Sequence, residues 1–100
     1  MKLMIKKRGI YIIKCRDNTL YIGMSMNFKQ RLNQYKHNHG SKWVKDHGMR
    51  SWKFWIAPRL NRSQICQIER YLKKQSTARK HEMYDDPNLI YSVIIEWEWN

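Results

Sequence analysis

Two short runs of β-branched and aromatic residues, Gly9–Cys15 (GIYIIKC) and Leu20–Gly23 (LYIG), flank the cluster Arg16-Asp17-Asn18-Thr19. Runs of this kind bounded by turn-forming residues read as strands, and so short a separation makes them one antiparallel hairpin. The loop then decides where side chains point, because they alternate along a strand. A symmetric two-residue turn centred on Asp17-Asn18 would put Tyr11 and Tyr21 on opposite faces, whereas an odd loop or a bulge would put them on the same face. Residues 1–7 are expected to extend the first strand backwards.

The remaining elements follow from spacing. Asn27 is a helix N-cap, and Phe28, Leu32 and Tyr35 recur at helical intervals to about Lys36, with Asn38 to Gly40 ending the helix. Ser41 to Gly48 reads as a short helical or irregular stretch. Trp52 to Ala57 (WKFWIA) reads as a third strand closed by Pro58. Ser63 is taken to cap a helix whose inner face is Ile65, Ile68, Tyr71 and Leu72. Residues 76–88 read as a helix end plus loop. Leu89 to Trp99 reads as a fourth strand, with Glu96 and Glu98 facing away from Trp97 and Trp99. A chain of 100 residues holds one domain with one modest core. The expected fold is a small α+β domain over 1–100, a mostly antiparallel three- to four-stranded sheet flanked by helices.

Charge narrows the partners. All 20 Lys and Arg lie in residues 1–80 beside only three acids, Asp17, Asp46 and Glu69, and the net charge is +12. Such a field attracts a polyanion and drives counterion release from phosphates, and aromatics interleaved among the bases favour nucleic acid. A membrane is disfavoured: the longest apolar stretch, Leu89 to Ile95, is too short to span a bilayer, and nothing resembles a signal peptide. Cys15 and Cys66 form no CxxC pair and read as thiols of a reducing, cytoplasmic compartment.

Gly9-Ile10-Tyr11 and Tyr21-Ile22-Gly23, with Arg31 in the next helix and Glu69 in a later one, resemble the GIY-YIG nuclease family. The resemblance covers roughly residues 8–75. It implies that Gln30-Arg31-Leu32 supplies a catalytic arginine, that Tyr35 stands where members place a Tyr or His, and that Ile68-Glu69-Arg70 supplies the metal-binding glutamate. Gly40-Ser41-Lys42-Trp43 looks like the family's loop, and Asn88 is a candidate for the polar residue that follows.

The residue types suit phosphodiester hydrolysis in their own right. One carboxylate can hold a hydrated Mg²⁺ or Mn²⁺, which takes its other ligands from water and phosphate. Glu69 is the natural candidate, although Glu69 and Lys73 also form a favourable i,i+4 pair. Arg31 can grip a phosphate bidentately. Tyr11 is assigned as general base, with Tyr21 and Tyr35 hydrogen-bonding to the nucleophile or phosphate. The competing reading is that strand tyrosines simply pack. Lys29, Lys36, His37, His39, Lys42, Trp43 and Lys45 are expected to meet nucleic acid, Trp43 by contact with a base or sugar, with packing in the protein as the equal alternative for it.

His37-Asn38-His39 spells HNH without the ββα-metal arrangement of that nuclease class, and no histidine or cysteine has zinc spacing. His47 is read as a solvated loop residue. The acidic C-terminal segment, about 89–99, is expected to sit away from DNA and close a sheet edge in a monomer, in preference to pairing with a second copy. The expected function is thus a metal-dependent endonuclease acting on double-stranded or branched DNA, its small format suggesting a viral or mobile element. The alternatives are an inactive nucleic-acid-binding module of the same fold and a basic surface for an acidic protein.

Overall fold

The computed structural model describes residues 7–37 and 39–99; residues 1–6 of the expected extension of the first strand and the helix-ending Asn38 lie outside them, and Lys7, the last residue of that extension, is not in a strand. The elements are β1 (Gly9–Cys15), β2 (Leu20–Ser25), α1 (Phe28–Lys36), α2 (Lys42–His47), β3 (Met49–Ile56), α3 (Arg62–Lys73), α4 (Thr77–Asp85) and α5 (Pro87–Trp99). The antiparallel sheet has the order β2-β1-β3.

The hairpin loop is odd. Asn18 N–H donates to the Cys15 carbonyl at 3.0 Å and Cys15 N–H to the Thr19 carbonyl at 2.9 Å, closing a three-residue loop over Arg16, Asp17 and Asn18. Asn18 takes φ 67°, the left-handed position that ends such a loop and that Asn tolerates better than most residues. Tyr11 therefore pairs with Gly23 and Tyr21 with Ile13, which puts both tyrosines on one face.

Alternation divides the core in two. Ile10, Ile12, Ile22 and Trp55 face α3, α4 and α5, where Ile65, Ile68, Leu72, Met83, Ile90 and Ile94 complete an almost wholly apolar layer. Tyr11, Ile13 and Cys15 face α1 and α2, packed with Phe28, Tyr35 and Val44. A clasp joins α2 to the hairpin loop: the Asp17 carboxylate accepts from Thr19 Oγ1 at 2.6 Å and also contacts His47 Nδ1. These bonds, led by the Thr19 hydroxyl, push the Asp17 carboxyl down to about 2. His47 is thus a helix residue, stacked on Trp43 with ring centroids 3.9 Å apart, and not a solvated loop histidine.

The C-terminal segment corrects the sequence reading most. Residues 87–99 form helix α5, so the sheet has three strands among the described residues and the proposed fourth strand over 89–99 does not exist. Only Glu96-Trp97-Glu98-Trp99 alternates. Ile90 and Ile94 are buried, and Leu89, Val93 and Trp97 pack beside them, a spacing of four that suits a helix; Pro87 takes the first helical position, where its missing N–H costs nothing. Edge closure or strand pairing through this segment is excluded with it.

Smaller corrections concern α3, α4 and β3. Asn61, not Ser63, caps α3, through a capping box with Gln64 in which both reciprocal bonds are 2.9 Å. Tyr71 is 51% exposed, because it falls on the margin of the stripe formed by Ile65, Ile68 and Leu72. The expected loop within 76–88 contains α4, which Ser76 caps by accepting from Arg79 N–H at 3.1 Å. β3 begins at Met49, three residues before the expected start. No helix of the described residues is long and apolar enough to cross a membrane.

Candidate active site

The side chains that meet at the outer strand of the hairpin come from four segments. Tyr11 and Tyr21 rise from one face of β1 and β2, and Arg31 and Tyr35 lie one turn apart on α1. Gly40 and Ser41 precede α2, and Cys66 and Glu69, three residues apart on α3, face the same way. Together they line a pocket of about 310 Å³. Helix α3 packs along β2, so it buries Ile65, Ile68 and Leu72 while its flank carries Glu69 to the edge of the sheet.

Two glycines open the path to this pocket. A Cβ at Gly23 would stand 2.3 Å from the Tyr11 hydroxyl, so only a residue without a side chain lets that phenol cross its partner strand. A Cβ at Gly40 would stand 2.4 Å from the Tyr35 ring. The glycine that closes the second motif half thus serves the tyrosine that closes the first.

The Tyr11 and Tyr35 hydroxyls share a 2.7 Å hydrogen bond in the interior, and the Tyr35 ring meets both Tyr11 and Tyr21 edge-on, at 5.8 and 6.2 Å. Burial pushes the Tyr11 phenol above its usual value, opposed by the bond to Tyr35 and by the Arg31 cation. Burial also drives Tyr35 up, and its bond to Tyr11 adds to the rise. At Tyr11 desolvation thus outweighs the Arg31 cation.

Arg31 Nη1 donates to Gln34 Oε1 at 3.2 Å, and the guanidinium pairs with no carboxylate among the described residues. Glu69 Oε1 lies 3.5 Å from Lys73 Nζ, so the helix ion pair weighed from sequence is present, at a length beyond an ordinary hydrogen bond. The Glu69 side chain is 20% exposed and lines the pocket all the same. Among the described residues no group of three His, Cys, Asp or Glu side chains could chelate an ion. A lone carboxylate beside phenol oxygens in an open pocket fits a hydrated Mg²⁺ or Mn²⁺, which needs few protein ligands; it does not fit a caged ion.

The other candidates lie outside this pocket. Lys29 and Lys36 are exposed on α1, and Lys42, Trp43 and Lys45 are exposed on α2. His37 caps the end of α1 with Nδ1 at 2.8 Å from the Asn33 carbonyl, and His39 is exposed. Asn88 is exposed at the start of α5 and does not line the pocket. Sequence reasoning gave no site role to Cys66, which the spacing to Glu69 could have signalled, and quoted Gly23 and Gly40 within motifs without reading the space each leaves for a tyrosine.

Comparison with known proteins identifies the family. The chain is 28% identical over 82 residues to a UPF0213 protein of Oceanobacillus iheyensis, covering 82% of this chain and 94% of that one. It is 34% identical over 73 residues to a UPF0213 protein of Cronobacter sakazakii, covering 73% and 75%. No solved structure matches it. Residues 7–83 match the family model described as the GIY-YIG catalytic domain. With Tyr11, Tyr21, Arg31 and Glu69 in one pocket of a nuclease-type fold, the chain belongs to the GIY-YIG family.

Proposed function

We propose that this protein is an endonuclease that hydrolyses DNA phosphodiesters with one Mg²⁺ or Mn²⁺ ion at Glu69, on double-stranded or branched substrates. The observation that carries the reading is the meeting, in one pocket, of a carboxylate, a guanidinium that pairs with no carboxylate among the described residues, and a hydrogen-bonded phenol pair. Arg31 is placed to bind the non-bridging oxygens of the scissile phosphate and to stabilise the charge that develops there. Tyr11 takes the proton of the attacking water once its own phenol is ionised. Burial opposes that ionisation and Arg31 favours it. Tyr35 donates to the Tyr11 oxygen and so stabilises the phenolate, because Arg31 acts on Tyr11 and makes it the better acceptor of the two. Tyr21 hydrogen-bonds to the phosphate or the water. Glu69 holds the ion, which when bound supplies Lewis-acid stabilisation of the phosphoryl and leaving oxygens. Exposed bases on α1 and α2 hold the flanking backbone, and the net charge of +12 suits that partner.

The test is nicking of supercoiled plasmid with Mg²⁺, with EDTA as control. Wild type is expected to nick, and Glu69→Ala to lose about 10³-fold or more while still binding DNA. Tight binding with no cutting of plasmid or branched DNA would reduce the protein to a binding module and Glu69 to the partner of Lys73.

A further inference from the structure

A second cavity of about 310 Å³ adjoins the catalytic pocket and meets it at Met24 and Arg31. Its polar lining includes Arg31, Arg62, Asn27, Gln30 and Ser25, with no Asp or Glu among the described residues, whereas the catalytic pocket contains Glu69. We infer that this cavity is a second phosphate subsite, in which Arg62 and the far side of the Arg31 guanidinium hold the backbone phosphate adjacent to the scissile one on the same strand.

The donors fit that ligand. A guanidinium has five N–H groups, and the bond from Arg31 Nη1 to Gln34 leaves others for phosphates on either side. Arg62 makes no ion pair among the described residues. Asn27 uses its Oδ1 on the Gln30 N–H at 3.4 Å, which leaves its amide hydrogens as donors. Ser25 Oγ accepts the Asn27 N–H at 3.0 Å, which leaves its own O–H. Both α1, capped by Asn27, and α3, which starts at Arg62, begin at this cavity, so the positive ends of two helix dipoles add to the arginines. A cation-lined cavity that opens into the catalytic pocket suits a polymer whose charges recur along its length better than a single small anion.

The identity of the ligand rests on the nuclease reading, so the experiment has two arms. In the first, the salt dependence of binding to a short DNA duplex is measured in EDTA for wild type and Arg62→Gln, an exposed position that should not disturb folding. One lost phosphate contact is expected to lower the slope of log K against log salt by about 0.9. In the second, a neutral methylphosphonate linkage is stepped along the cleaved strand. At the one linkage beside the scissile bond it is expected to slow wild type about tenfold and Arg62→Gln no further. An unchanged slope with equal sensitivity of both proteins to every linkage would overturn the subsite, while continued nicking by wild type would leave the nuclease reading intact. A reduced slope in a protein that never cuts would do the reverse, leaving the phosphate site standing and removing the nuclease.

Discussion

The two faces of the sheet are built from different chemistry. Toward α3, α4 and α5 the strands present Ile10, Ile12, Ile22 and Trp55, and the layer closes on Ile65, Ile68, Leu72, Ile90 and Ile94. Toward α1 and α2 they present Tyr11 and Tyr21, which meet Phe28 and Tyr35 and open into the candidate active-site pocket. The apolar face gains stability chiefly from burial, with the Trp55 indole N–H donating to the Pro87 carbonyl at 2.9 Å. The phenolic face must hydrogen-bond what it buries, as the 2.7 Å contact between Tyr11 and Tyr35 does. Stability and chemistry are thus assigned to opposite sides of one rigid element. Helix α3 connects them, since its inner stripe anchors the apolar layer while its flank positions Glu69.

That division can be broken in three ways. Ile90 is fully buried on α5, so Ile90→Ala should cost about 2–5 kcal/mol. The urea midpoint should fall while nicking per folded molecule stays close to wild type; lost activity without lost stability would erase the distinction between the faces. Gly23→Ala acts on the other side. Its Cβ must displace the Tyr11 hydroxyl, and a displacement of that kind should slow nicking about 100-fold. Its urea midpoint should move less than that of Ile90→Ala, and normal nicking would show that Tyr11 need not reach across β2.

The smallest effect is expected from Tyr35→Phe. Removing a neutral hydrogen bond should cost about 1 kcal/mol and slow nicking several-fold. Because Tyr35 supports the Tyr11 phenolate, its loss should shift the ascending limb of the pH–rate profile, which ionisation of the base sets, to higher pH; an unmoved limb would exclude Tyr11 as the titrating base. Stability has its own pH dependence. Both phenols are raised in the folded protein, so their contribution is fully present below the unfolded tyrosine value of about 10 and is lost as pH rises through the folded values. The fall in urea midpoint above about pH 10 should be shallower in Tyr35→Phe, which retains only one of the two buried phenols.

Much of this molecule was legible along the chain. The strands of the hairpin, the Asn27 cap and the stripe of Ile65, Ile68 and Leu72 are local patterns, and each forms as read. The failures share a cause. Leu89–Trp99 was read as alternating along its length, yet only its last four residues alternate, and its first seven are spaced to cover a core that α3 and β3 supply. An apolar segment of that length suits strand or helix alike, and the surface it must cover decides between them. Asn88, placed by resemblance, went with that segment to the exposed start of α5.

The sequence alone determined the elements whose signals are short-range: the turn cluster, the Asn27 cap, the amphipathic stripe of α3, and the basic net charge. Only tertiary structure decided that the hairpin loop is odd, that Gly23 clears a path for Tyr11, and that α3 brings Glu69 to the phenols. It also decided that Arg31 stands between two cavities. The reason is that each of these depends on contacts between segments distant in the chain, where loop parity and the packing of a helix against a strand set positions that no local pattern encodes.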